Sequence, residues 1–293
     1  MRSTRRQFLV MGAAGGAALA LAACGSDSKS ESSASGTAAG ASGGPYDLSL
    51  RLTDSPLLVP GESRVAVSLV QDQTLVMSGP QTLTAKVLDA GDKVVTELSG
   101  EQHRDGIPQA YWPFRFTIDT PGFYRLSVDG ANPQSGFFGV YETGKVAMPY
   151  IGATLPALDT PTVADHRGVE PYCSLTPDPC PLHDITLTEA LQAGKPVVFM
   201  VGTPAHCQTG ACAPGLEFLV AARQRVGDRA VVVHADVYQD NAGTELAPTV
   251  TDLALEYEPV VYFATPDGVI VDRLDGIWDQ AEVDERVDAL LAR

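Results

Sequence analysis

Between residues 45 and 145 apolar and polar positions alternate in short runs: Leu48, Leu50, Leu52; Val65, Val67, Leu69; Leu83, Ala85, Val87; Trp112, Phe114, Phe116, Ile118; and Tyr124, Leu126, Val128. A period of two places each set on one face of a strand and leaves the other face wet. Turn signals stand between the runs at Pro60-Gly61, Ala90-Gly91-Asp92, Thr120-Pro121-Gly122 and Asp129-Gly130. From about residue 148 the pattern changes. A short helix is expected over 187–193, a strand over 196–201, helices over 213–226 and 249–257, strands over 230–236, 260–264 and 269–274, and a closing helix over 280–291. The run 196–201 is continuously apolar, as in a strand buried on both faces. Thr265-Pro266-Asp267-Gly268 between two apolar runs predicts an antiparallel hairpin.

The chain therefore reads as multi-domain. Roughly seven or eight strands in about 100 residues argue for an N-terminal all-β immunoglobulin-like sandwich. Within it, Pro121-Gly122-Phe123-Tyr124 resembles the corner where such sandwiches keep a structural tyrosine. Strand and helix alternation after residue 148 argues for a second, α/β domain with a mixed sheet.

The amino terminus bears on compartment. Thr4-Arg5-Arg6-Gln7-Phe8-Leu9 resembles a twin-arginine export signal, and Leu21-Ala22-Ala23-Cys24 resembles a bacterial lipoprotein cleavage box. The resemblance implies a signal peptide over 1–23, lipidation at Cys24 and an extracytoplasmic protein anchored to the bacterial cell membrane. Residues 24–44 are rich in Ser, Gly and Ala and read as a flexible tether. The formal charge is −16, and removal of residues 1–23 takes away Arg2, Arg5 and Arg6 and no acid, which moves it to −19. Such a chain lacks the basic footprint that nucleic-acid binding needs.

Of the five cysteines, four remain beside Cys24, as two close pairs. Cys173-Ser174-Leu175-Thr176-Pro177-Asp178-Pro179-Cys180-Pro181 has its loop fixed by three prolines. A bridge across it would contribute about 2.5 kcal/mol, so Cys173 and Cys180 are expected to form a structural disulfide. The second pair lies in Thr203-Pro204-Ala205-His206-Cys207-Gln208-Thr209-Gly210-Ala211-Cys212-Ala213-Pro214, between the buried strand and an amphipathic helix. Helix-mouth N–H groups favour a thiolate there. Five residues of helix rise about 7.5 Å, more than the roughly 4.4 to 6.8 Å that a disulfide tolerates between Cα atoms, so a bonded pair requires Cys207 in the loop. A structural bridge that only closes the loop is the competing reading. His206 beside Cys207 is a candidate tuner of its thiolate.

Residues 148–293 resemble the thioredoxin superfamily, on Ile151-Gly152-Ala153-Thr154-Leu155-Pro156, the strand before Cys207, Tyr257-Glu258-Pro259-Val260 and the Pro-Asp-Gly turn. The resemblance implies a thioredoxin-like domain with Cys207 as nucleophile, Cys212 as resolving thiol and Pro259 as a cis proline shaping the site. It also implies a thiol–disulfide oxidoreductase acting on exported proteins and recycled by a membrane redox partner. The four residues between the cysteines, and His206 in place of a tryptophan, depart from the common pattern. The alternative is a non-catalytic binding protein or a copper or other metal-delivery protein on the same fold, since His183 follows Cys180 by three. No spacing matches a compact metal signature, so neither a metal nor a cofactor is expected.

Overall fold

A computed structural model describes residues 46–52 and 57–293, all within one compact unit, Ala41–Arg293. The expected signal peptide, Cys24 and the tether lie outside the described residues. The chain is rich in β-sheet with few helices. Among the described residues no helix is long and apolar enough to cross a membrane.

The first eight strands are β1 (Asp47–Leu50), β2 (Gly61–Gln71), β3 (Thr74–Leu75), β4 (Thr82–Leu88), β5 (Val94–Glu101), β6 (Trp112–Ile118), β7 (Gly122–Val128) and β8 (Phe137–Val140). β2 pairs antiparallel with β1, β3 and β6; the other sheet runs β5-β4-β7-β8, also antiparallel. The alternating residues point inward as their period requires: Trp112, Phe114 and Ile118 meet Val65, Val67, Leu83, Val87 and Leu126 in one core. The Tyr124 hydroxyl donates back to the Thr120 carbonyl at 2.8 Å, which fixes the corner before β7. β5 gave no clear signal because it is an edge strand with only Gly100 buried, and its Val94 and Val95 are exposed.

The second half holds α1 (Leu187–Gln192), β9 (Val197–Val201), α2 (Cys212–Val226), β10 (Val231–Ala235), α3 (Pro248–Asp252), β11 (Val260–Ala264), β12 (Ile270–Asp275) and α4 (Gln280–Leu291). Its sheet runs β10-β9-β11-β12, with β9 parallel to β10 and antiparallel to β11. β9 is buried on both faces. Val198 and Met200 pack with Leu216 and Leu219 of α2 and Val283 and Val287 of α4, while Val197, Phe199 and Val201 join the core shared with the first half. α3 is shorter than the expected helix over 249–257. Ala254 takes a left-handed φ of 50°, and Pro259 disfavours helical backbone at Glu258.

β2 is buried on both faces from Ser63 to Leu69 because its outer face lies under the second half. Arg64 reaches Glu282 of α4 at 2.6 and 2.7 Å and donates to the carbonyls of Asp275 and Ile277. Tyr111 donates to the same carboxylate at 2.8 Å. Burial alone would raise the Glu282 carboxyl, yet the Arg64 guanidinium holds it down at about 2.

Candidate functional site

α2 begins at Cys212, and its cap residue, Ala211, has no side-chain oxygen to offer the free N–H groups of the first turn. Sulfur takes that place: the Cys212 N–H donates to Cys207 Sγ at 3.3 Å. Cys207 sits in the loop, and Gly210 supplies the left-handed turn at φ 69°. The two cysteines are disulfide-bonded with their Cα atoms 6.0 Å apart, inside the range that a bridge tolerates. Their exposure differs. Cys207 is half-buried and within 3.3 Å of the Thr209 hydroxyl, whereas Cys212 is fully buried.

Beneath Cys212 lies a residue that the sequence reading left without a role. Glu258 Oε2 stands 3.2 Å from Cys212 Sγ and accepts the Thr203 N–H at 2.8 Å. Burial pushes its carboxyl up to about 7. Glu258 is joined to Pro259 by a cis peptide. Gly202, at the end of β9, is needed beside them, since a Cβ there would lie 2.8 Å from Met200 Cε and 3.2 Å from the Pro259 side chain. The His206 ring stands edge-on to Tyr238 at 5.3 Å and against Gly243.

The loop from β5 to β6 covers one side of the dithiol. Gln109 Nε2 reaches the Thr209 carbonyl at 3.5 Å, Pro108 borders Gly210, and Tyr111 packs with Ala211 and Ile277.

The expected staple is not formed. Cys173 and Cys180 are free, buried thiols. In place of a bridge, both sulfurs converge on His234 of β10, at 3.8 and 3.6 Å from Nδ1, and His183 Nε2 meets the same nitrogen at 3.1 Å. The Cys180 thiol donates to Cys173 Sγ, and this bond holds Cys173 well below the ordinary thiol range. Cys173, Cys180 and His183 were close neighbours in the sequence. His234 lies 51 residues beyond His183 and reaches them only through the packing of β10, so no spacing rule could have joined it. A bridge of polar contacts runs from this cluster to the dithiol: Ser174 Oγ lies 3.3 Å from Thr203 Oγ1 and accepts the Ala205 N–H at 3.2 Å.

No protein-family model matches the chain, and no curated protein matches it. Among solved structures it is similar to a metagenome-derived glycoside hydrolase family 9 endoglucanase, at 19% identity and a TM-score of 0.26 over 32% of this chain and 18% of that one. It is also similar to trypsin-activated alpha-2-macroglobulin from Escherichia coli, at 15% identity and a TM-score of 0.26 over 41% of this chain and 8% of that one. The chain thus spans less than a fifth of either protein, and likenesses this slight carry no argument about fold or function.

Proposed function

We propose that the protein is a lipid-anchored, extracytoplasmic thiol–disulfide oxidoreductase acting on exported proteins, built from an immunoglobulin-like sandwich and a thioredoxin-like domain. The observation that carries the reading is the asymmetric dithiol: a half-buried Cys207 sulfur that accepts an N–H at the mouth of α2, bonded to a buried Cys212 that rests on Glu258. The sheet order β10-β9-β11-β12 supports the thioredoxin-like part, and the Tyr124 corner supports the sandwich.

In the reducing direction the Cys207 thiolate attacks a substrate disulfide. A mixed disulfide forms, and one substrate thiolate leaves. Cys212 then passes its proton to the Glu258 carboxylate and attacks Cys207 Sγ, which restores the Cys207–Cys212 bond and releases the second substrate thiolate. The substrate gains two electrons and the dithiol loses them. Run backwards, the same steps oxidise a substrate dithiol, with Cys207 again the sulfur that is attacked because Cys212 is enclosed.

Insulin reduction and oxidative refolding of a reduced protein, assayed side by side, test the reading and give its direction. Cys207→Ser should abolish both activities. Cys212→Ser should trap a mixed disulfide with substrate. Wild-type protein that is inert in both assays while its bond resists reduction down to potentials below about −300 mV would identify an inert structural bridge.

A further inference from the structure

We propose that Cys173, Cys180, His183 and His234 form a tetrahedral binding site for one zinc ion, a site that is separate from the dithiol and does not rest on its redox role. All four residues are buried, and their candidate ligand atoms lie within 4.8 Å of one another.

The hydrogen bonds around the cluster fix which nitrogens face inward. His183 Nδ1 lies 3.2 Å from the Pro161 carbonyl, and His234 Nε2 lies 3.0 Å from the Gly202 carbonyl. A carbonyl oxygen can only accept, so each of those nitrogens carries its ring's proton. His183 Nε2 and His234 Nδ1 are therefore bare lone pairs, and they face each other at 3.1 Å. Two such lone pairs repel unless a proton or a metal ion lies between them. Backbone carbonyls that orient imidazoles in this way are what a bound metal requires of its surroundings.

Distances and charge agree. With Zn–N near 2.0 Å and Zn–S near 2.3 Å, a tetrahedron has an N···N edge of about 3.3 Å and S···N edges of about 3.6 Å. The corresponding separations are 3.1 Å between the nitrogens and 3.6 and 3.8 Å from the sulfurs to His234 Nδ1. Two thiolates and a dication sum to zero, which removes the cost of isolated charge in a buried site. Two sulfur and two nitrogen ligands in tetrahedral array select zinc over magnesium or calcium, which take oxygen. The site is closed by four protein ligands, as in structural zinc centres. It would pin the 173–183 loop to β10 and, through the Gly202 carbonyl, to the end of β9 that leads into the Cys207 loop.

The test is metal content of the full chain, purified without a histidine tag from zinc-supplied cells and measured for zinc and copper together. One zinc per chain is expected, retained in Cys207→Ser/Cys212→Ser and reduced about tenfold or more in Cys180→Ser and His234→Ala. Should those last variants fail to fold, cobalt exchanged into the wild-type protein answers instead, through a sulfur-to-metal charge-transfer band and the strong visible absorption of a tetrahedral ion. Copper in place of zinc, metal lost with the Cys207/Cys212 variant only, or metal-free protein with Cys173 and Cys180 joined in non-reducing peptide maps would each overturn the proposal. An inactive exchange assay would leave the zinc count unaffected, so the two readings fail separately.

Discussion

Glu258→Gln separates the chemistry of the dithiol from its stability. Burial raises the Glu258 carboxyl from its ordinary 4.5 to about 7, a gap of about 3 kcal/mol against the ionised form. The sign follows from proton counting. Between pH 4.5 and 7 the folded protein keeps a proton that the unfolded chain has released, so this group's contribution is full below about pH 4.5 and is lost as pH rises through 7. Glutamine cannot ionise. Its amide oxygen, placed where Oε2 stands, can still accept the Thr203 N–H and lie beside the Cys212 sulfur. Urea unfolding of the oxidised protein at a series of pH values should therefore show the variant gaining on wild type as pH rises, by up to about 3 kcal/mol at pH 8. Activity should move the other way. Without a base to take the Cys212 proton, resolution of the mixed disulfide should slow by about 10²-fold or more at pH 8. The deficit should shrink toward pH 6, where only about a tenth of wild-type molecules carry the charge. Unfolding curves for the two proteins that stay parallel from pH 4.5 to 8 would refute the argument, because the carboxyl would then titrate alike in the folded and unfolded states.

Arg64→Ala should cost about 3 kcal/mol in thermal or urea unfolding, since it removes the two-pronged partner of the fully buried Glu282 carboxylate and leaves it the Tyr111 hydroxyl and Arg115 at 3.5 Å. In the wild type the Glu282 contribution is full above about pH 4.5 and falls away as pH drops toward 2, so the stability gap between the two proteins should narrow as pH falls. Gly215→Ala should destabilise α2 by roughly 1 to 3 kcal/mol, because the new Cβ would lie 2.9 Å from Trp278 Nε1, which donates to the Gly215 carbonyl. Tryptophan fluorescence, to which Trp112 and Trp278 both contribute, should shift along with the loss of stability.

What could be read from the sequence depended on whether burial left a period. Trp112 to Ile118 and Tyr124 to Val128 face a single core and alternate cleanly, and Val197 to Val201 shows the unbroken apolar run of a strand covered on both faces. Val94 to Glu101 turns Thr96, Leu98 and Gly100 inward, only one of them a large apolar residue, so its period leaves no such trace. The dithiol was legible because its parts are neighbours: a loop, a glycine and a helix start within a dozen residues. Glu258 was not, since its role comes from the position of β11 beside β9, which carries the carboxylate under Cys212. Cys173 and Cys180 illustrate the opposite error. Closeness in sequence is equally compatible with a bridge and with two sulfurs held for a third group, and His234 decides between them only once β10 is in place.

The contacts between the two halves bear on what can reach Cys207. A sandwich joined by a loose linker would act as a spacer, free to swing away from the dithiol. Here Arg64 of β2 is tied to Glu282 and to two backbone carbonyls of the second half, and Tyr111 shares that carboxylate while receiving the Asp279 N–H. These partners are buried and mutually satisfied, so separating the halves would expose unpaired charge as well as the shared apolar core. The loop at 103–111 is thereby held against Thr209, Gly210 and Phe218, with Arg104, Asp105 and Pro108 exposed at its surface. A protein substrate that approaches the half-buried sulfur must fit this wall from the first half as well as the loop that carries the cysteine. On the thiol-exchange reading proposed above, the first half would contribute to substrate choice, although residues 45–145 have no cysteine with which to exchange electrons.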